Sequence, residues 1–399
     1  MTTTTPKLRH IHLPSWPWSR SRSQASPSPP RFPTYALATA VQTELQQRLL
    51  AWKAAADTRV APPQPTLLTF TPAPTYTLGR RQTEPLSATE LARLQKPLSL
   101  RYDVSGNGNG NTTGNDYDYG YNDYDYALPP TVTHAPRGGL ATYHGPGQVV
   151  FWPVLDLRSP LLRAHLTVRD YACLLEKTTI GALGQTFGIR GFTTSNPGVW
   201  VGEKEEGKGS GDNRRGEGRN GERKIAALGV HLRRHVTGLG VAVNVAMPTT
   251  GPGLGPGPGS EVDEASNPWA RIVACGLGGK GVTSVAAELS LRESRGVSSS
   301  SSSSSGGGRG GGDVSAFQNA ITTAWAREFA TRLGLDGVED VLLPVDQNGQ
   351  NVQNQEPQRE DWERWGRELG LSSLQDAMSG YVAAERSGSS SSSSSLSSS

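Results

Sequence analysis

The chain holds two cysteines, Cys173 and Cys275. Cys275 lies in IVACGLGGKGVTS, where an apolar, strand-like run ends at the thiol and glycines follow at 276, 278, 279 and 281. A thiol at a strand end beside unencumbered backbone amides has the layout of a nucleophile with an oxyanion site. It is equally the layout of a small residue in a glycine-rich turn. Cys173, followed by Leu174 and Leu175 in a helical pattern, reads as a small buried hydrophobe. Lys224 opens KIAALGVHL, 51 residues before Cys275. An ammonium near a thiol raises its thiolate fraction. Sequence distance alone neither makes nor forbids that contact, and a lysine at a strand start is ordinarily solvated.

A second constellation is RGGLATYHGPGQ, residues 137–148. Gly138 and Gly139 allow close backbone approach or positive φ, and the glycine and proline after His144 signal a turn. The segment reads either as a loop presenting amides, Arg137 and His144 to a substrate, or as a tight turn with a structural histidine and a solvated arginine. Neither a dinucleotide-binding nor a P-loop fingerprint is present. His231 and His235 form HLRRH, a metal-ligand spacing on a helix. The segment reads as a strand, and two ligands do not close a site, so no metal is expected.

The elements that must carry these residues follow from periodicity. Leu37, Val41, Leu45 and Leu49 give a helix from Tyr35 to about Lys53 its apolar stripe. TLLTF (66–70), TYTLG (75–79), QVVFWPVLDL (148–157), GVWVG (198–202), KIAALGVHL (224–232) and GVAVNV (240–245) read as strands, the third interrupted by Pro153. Thr167 caps a helix over 168–183. Ser315 and Gln318 resemble a capping box before a helix carrying Phe317, Ile321, Trp325 and Phe329. Strands alternating irregularly with few helices predict an α+β sheet domain.

Glycine (48) and proline (28) are abundant and only 35% of residues are hydrophobic, so much of the chain cannot fill a core. One catalytic domain over 34–346 is expected, with low-complexity, disordered insertions at about 103–133, 203–223, 249–264 and 293–314. A polar, Ser-rich tail over 347–399 follows, where the pattern allows a short helix near 360–378. The net charge of +3 is too small to argue for nucleic acid, and no apolar run is long enough to span a membrane. Residues 1–33 carry Lys7, Arg9, Arg20, Arg22 and Arg31 and no acid. That is the bias of a mitochondrial transit segment, which makes mitochondrial the expected localisation.

Taken together, YTLGRR (76–81), RGGLATYHGPGQ (137–148), PGVWV (197–201), KIAALG (224–229), GVAVNV (240–245) and ACGLGGKGVTS (274–284) resemble the octanoyltransferase family of lipoate biosynthesis, in the family's order. The resemblance spans about residues 35–335. It implies a biotin/lipoate ligase-like fold, with a mixed, largely antiparallel sheet flanked by helices. It implies that Cys275 is the nucleophile and Lys224 its activator. It gives Arg137, Gly138, Gly139, Leu140, Ala141, Thr142, Tyr143 and His144 a substrate-binding role, together with Ala227, Leu228, Gly229, Gly240, Val241 and Ala242. The implied reaction moves an octanoyl group from acyl carrier protein to a lysine of lipoyl domains in 2-oxoacid dehydrogenases and the glycine cleavage H protein, with no cofactor. In three places the chain departs from the family: Ala274 replaces the usual proline before the cysteine, a histidine common before the YTLG strand is replaced in TPAPTYTLG, and the 203–223 insertion ends right at Lys224. The competing classes are an ATP-dependent lipoate–protein ligase and a non-catalytic, acyl-carrier-binding scaffold protein. The first needs no thiol, and intact Cys275 and Lys224 oppose both.

Overall fold

The computed structural model describes residues 6–15, 31–55, 59–101, 125–203, 220–250, 263–272, 280–294, 314–341, 359–374, 380–383 and 385–386. Strand β1 (Leu8–Leu13) and the short β2 (Arg31–Pro33) precede helix α1 (Tyr35–Ala55). Next come β3 (Thr66–Phe70), β4 (Thr75–Leu78), α2 (Ala88–Gln95), β5 (Leu98–Arg101), β6 (Asp125–Leu128), β7 (Thr131–His134), β8 (Ala141–His144) and β9 (Gln148–Val154). Helix α3 (Val168–Phe187) leads into β10 (Gly198–Glu203), β11 (Asn220–Arg233) and β12 (Val236–Asn244). The two-residue β13 (Gly281–Val282) follows, then α4 (Val285–Ser294), α5 (Val314–Leu333), β14 (Val338–Asp340), α6 (Arg359–Leu369), β15 (Tyr381–Ala383) and β16 (Glu385–Arg386).

The main sheet runs β10-β11-β12-β9-β3-β1-β14, with β13 added on β11. Pairing is antiparallel from β10 through β3 and parallel where β1 joins β3 and β14. This is the mixed, largely antiparallel α+β sheet expected. Both faces are covered, and the strands show it residue by residue. Val149 and Phe151 of β9 join Leu67, Trp325 and Phe329 in one cluster with α3 and α5. Val150, Trp152 and Val154 turn the other way, into a cluster with Val41, Leu45 and Leu49 of α1 and Trp362 and Trp365 of α6. The alternation is the period-two geometry of a strand between two helical layers. A smaller sheet, β7-β4-β8, carries the RGG loop.

Several sequence expectations shift. Leu8–Leu13, inside the expected leader, pairs with β3 and β14 and buries Leu8, Ile11 and Leu13. The domain therefore includes it; its histidines at alternate positions hide the apolar pattern. Asp125–Leu128 and Thr131–His134, expected within an insertion, are strands, and Tyr126 and Leu128 are buried. Glu203 and residues 220–223 also belong to strands, and α4 and α5 reach into the 293–314 segment. Within the polar tail, α6 packs two tryptophans on the core. The Ser315–Gln318 capping box does not form: α5 begins at Val314, and Gln318 Nε2 donates instead to Thr71 Oγ1 and the Gln148 carbonyl, both at 3.2 Å. Thr167 does cap α3, in a reciprocal box with Asp170. Among the described residues, no helix is long and apolar enough to cross a membrane.

Candidate active site

Lys224 lies within β11 and not at its start. Trp200 of β10 is its partner on one side and Val282 of β13 on the other. A bulge between Val199 and Trp200 shifts the register here, as bulges do where a strand re-aims a side chain. The ammonium donates to the Pro197 carbonyl at 3.1 Å and lies 4.7 Å from the centre of the buried Trp200 ring. Lys280 Nζ sits 4.9 Å from the same ring and pairs with Glu222 at 2.6 Å. Gly198 has φ +120°, and a Cβ there would meet the Ala226 carbonyl at 2.5 Å. The Pro197–Gly198 turn is thus what brings a carbonyl to Lys224. Glu176 on α3 accepts from the Gly198 N–H at 3.0 Å. Burial pushes the Glu176 carboxyl up, while that N–H and the Lys224 charge pull it down.

The RGG loop is fastened by its own arginine. Arg137 Nη2 donates to the Thr77 carbonyl at 2.6 Å and to Thr77 Oγ1 at 2.7 Å, and Nε reaches the same hydroxyl at 3.3 Å. Nη1 donates to the Gly138 and Leu140 carbonyls at 3.0 and 2.9 Å. A guanidinium has five N–H groups, and these contacts use them all on the protein. Arg137 therefore stitches the loop to β4, and it is buried where a turn reading of the sequence expects a solvated side chain. Gly139 takes φ +85°.

The structure brings the two glycine-containing segments together. A Cβ on Gly229 would meet the Arg137 stem at 2.8 Å, so β11 runs against the loop. Gly139, Leu140 and Ala141 are half-buried, as are Ala227, Leu228 and Gly229, and Gly138 is exposed. These form the accessible part of the predicted set. Thr142 and Tyr143 face inward; Tyr143 packs on Tyr76 and Trp269, with ring centres 5.2 and 5.7 Å away. Gly240, Val241 and Ala242 are buried in β12. A Cβ on Gly240 would strike the Phe151 carbonyl at 2.1 Å and Pro153 Cδ at 3.0 Å. Gly240 thus lets β12 pass the proline of β9. Cys275 and Ala274 lie outside the described residues, as do the Tyr-Asp repeat before residue 125 and the serine runs. Cys173 is half-buried on α3. His231 lies on β11, and His235 in the hairpin turn at φ 69°.

His144 is buried, and its Nδ1 is 3.1 Å from Gln148 Oε1. Its ring stacks on Tyr35 at 5.8 Å. Burial first, and then the Arg137 charge, pull its pKa down to about 4, although the Gln148 hydrogen bond pulls it up. The imidazole is therefore neutral at physiological pH. Tyr35, Gln148, Trp200 and Asn244 escape a reading of the sequence as site residues. Asn244, a lone polar residue in the alternation of GVAVNV, is the one with a visible signal.

Beside the loop lies a basic rim. Arg80 N–H donates to the Arg137 carbonyl at 2.9 Å and Arg81 N–H to the Gly139 carbonyl at 3.2 Å. Both side chains are exposed, as are Arg233 and Arg234 at the β11–β12 turn. The two groups are neighbours: the Arg80 charge, after burial, lowers the His231 pKa. Arg234 has φ 50°, a left-handed turn built without glycine.

Residues 127–294 match the model of the lipoyl protein ligase A/B catalytic domain. That span includes Arg137, His144, Lys224 and Cys275. A probable octanoyltransferase of Schizosaccharomyces pombe is 31% identical over 252 residues, covering 63% of this chain and 80% of that protein. A mitochondrial octanoyl-(acyl-carrier-protein):protein N-octanoyltransferase of Danio rerio is 36% identical over 153 residues, 38% of this chain and 50% of its own length. A Xanthomonas campestris octanoyltransferase is 37% identical over 154 residues, 39% of this chain and 49% of its own length. The chain thus spans about half the length of these last two. Among solved structures, a bipartite lipoate protein ligase of Thermoplasma acidophilum aligns with a TM-score of 0.40 at 11% identity, over 91% of each chain.

Proposed function

Because the chain belongs to the octanoyltransferase family, and is an acyltransferase, we propose that it carries an octanoyl group from an acyl carrier protein to a lysine of a lipoyl domain through a thioester on Cys275. The observation that carries this reading is the position of the segment following the cysteine. Val282 pairs with Lys224, and the Thr283 N–H donates to the Lys224 carbonyl at 3.0 Å. Cys275 precedes Val282 by only seven residues.

The thiolate attacks the carbonyl carbon of the donor thioester. The C–S bond to the carrier breaks, and its phosphopantetheine thiolate leaves and takes a proton. The lysine amine then attacks the acyl-cysteine, a C–N bond forms, and the Cys275 thiolate departs as the amine gives up its proton. Lys224 stabilises the thiolate as a nearby cation and manages the amine's proton in the second step. Exchange of one thioester for another is nearly isoenergetic and amide formation runs downhill, so ATP has no task. Burial of some six methylenes of the acyl chain contributes roughly 5 kcal/mol at about 0.8 kcal/mol each; Leu140, Ala141, Ala227 and Leu228 offer the half-buried apolar surface. The exposed Arg80, Arg81, Arg233 and Arg234 suit the acidic surface of a carrier protein.

Incubation with octanoyl-acyl carrier protein should add one octanoyl group that peptide mapping locates on Cys275 and that a lipoyl domain removes. A requirement for ATP and free acid, or an adduct on Cys173, would overturn the reading. The proposed mitochondrial location rests on the name of the zebrafish relative and is tested by fractionation.

A further inference from the structure

A buried chain of amides joins His144 to the strand beside Lys224, and two backbone carbonyls dictate how it is oriented. Asn244 has one side-chain atom 3.0 Å from the Thr283 carbonyl. A carbonyl only accepts, so that atom is Nδ2, and Oδ1 faces Gln148. Gln148 reaches Asn244 Oδ1 at 2.9 Å and the Tyr143 carbonyl at 3.3 Å. Both are acceptors, so the same Gln148 atom is Nε2, and Oε1 is left toward His144. Only a donor satisfies Oε1, so His144 carries its proton on Nδ1.

We infer that Gln148 and Asn244 are positioning residues that lock His144 as its Nδ1–H tautomer and leave Nε2 as a lone-pair acceptor for an N–H or S–H of the substrate. The inference rests on the reading that the RGG loop faces the acyl substrate. Every donor in the chain points away from the imidazole, so the direction is set by the Thr283 and Tyr143 carbonyls and transmitted without ambiguity. Thr283 is itself fixed: its Oγ1 donates to Glu288 at 2.7 Å, and Glu288 accepts from Arg223 Nε and Nη2 at 2.9 and 3.0 Å. His144, Gln148, Asn244, Thr283 and Glu288 are all buried, where an unsatisfied or reversed amide is costly. The tautomer is thus coupled to the strand that follows Cys275. Tyr35 and Arg137 are the ionisable groups bearing on the ring.

The test is the tautomer itself, read from nitrogen-15 spectra of the imidazole without substrate, so that it stands apart from the acyl chemistry. The full-length protein at neutral pH should show a protonated Nδ1 and an unprotonated Nε2. Gln148→Met should lose this preference and lower kcat by about tenfold with little change in KM for the carrier substrate. Gln148→Glu should keep the proton on Nδ1 and move the acid limb of the kcat profile to higher pH, since a neighbouring anion favours the imidazolium. Asn244→Asp retains an acceptor for Gln148 Nε2 and should preserve the tautomer. A proton on Nε2 in the wild type, or an unchanged tautomer in folded Gln148→Met, overturns the inference. A correct tautomer in an enzyme that forms no acyl-cysteine contradicts the proposed reaction alone.

Discussion

Arg137 and Lys224 are both buried cations at the candidate site, and they are used in opposite ways. Arg137 spends its planar fork on Thr77 and two loop carbonyls. Lys224 ends in a compact ammonium against a carbonyl and an aromatic face. A guanidinium is always charged and geometrically fixed, whereas an ammonium can shift its pKa and exchange a proton. The arginine fastens the loop, and the proposed reaction assigns the lysine the proton chemistry.

The contrast breaks most sharply under substitution. Lys224→Ala should slow single-turnover acylation by about a hundredfold or more and leave the denaturation midpoint nearly unchanged. Arg137→Lys should do the reverse. It strands the Thr77, Gly138 and Leu140 carbonyls and should cost roughly 2–4 kcal/mol in urea unfolding. A folded, fully stable Arg137→Lys would refute the fastener role.

The pH dependence sharpens the same point. The His144 pKa is depressed from 6.5 to about 4, so the unfolded chain binds more protons in that window. Stability should be complete above about pH 6.5 and fall as pH drops toward 4, by on the order of 3 kcal/mol from this residue. His12, also lowered to about 4 by burial and by His10, acts in the same direction. Equilibrium unfolding at stepped pH checks this, and His144→Gln should flatten the slope. Gly198→Ala comes next. At φ +120° it should cost on the order of 2 kcal/mol and disturb the carbonyl that Lys224 contacts. Trp200→Phe should have the smallest effect on the single-turnover rate, less than about fivefold, because a weaker cation–π face remains for Lys224.

Much of this is legible in the chain. The period-two runs give β3, β4, β9, β10, β11 and β12, and the four-residue leucine and valine spacing gives α1. What the sequence conceals follows from physical causes. In LRHIHL, His10 and His12 occupy sites where they bond Thr69 at 2.8 and 2.9 Å, so a buried strand looks basic and polar. Asp125–Leu128 sits at the end of a Tyr-Asp repeat and is a strand because β5 and β16 pair with its two edges. For the site, spacing indicates which residue types could react, but the division between fastener and reactant depends on where five N–H groups point. Three of the five contacts go to Thr77, on a strand 60 residues earlier. The Gln148–Asn244 chain likewise joins residues 96 positions apart.

The central claim is that the Lys224 ammonium and the Cys275 thiol act as one unit. The most direct test is the pH dependence of iodoacetamide alkylation at Cys275 in the wild type, Lys224→Arg and Lys224→Ala, each checked for folding. The wild-type thiol should titrate below the free-cysteine value of about 8.5. Lys224→Arg should keep most of that depression, and Lys224→Ala should return the thiol toward the free value. An alkylation profile in folded Lys224→Ala that overlays the wild type would contradict the account.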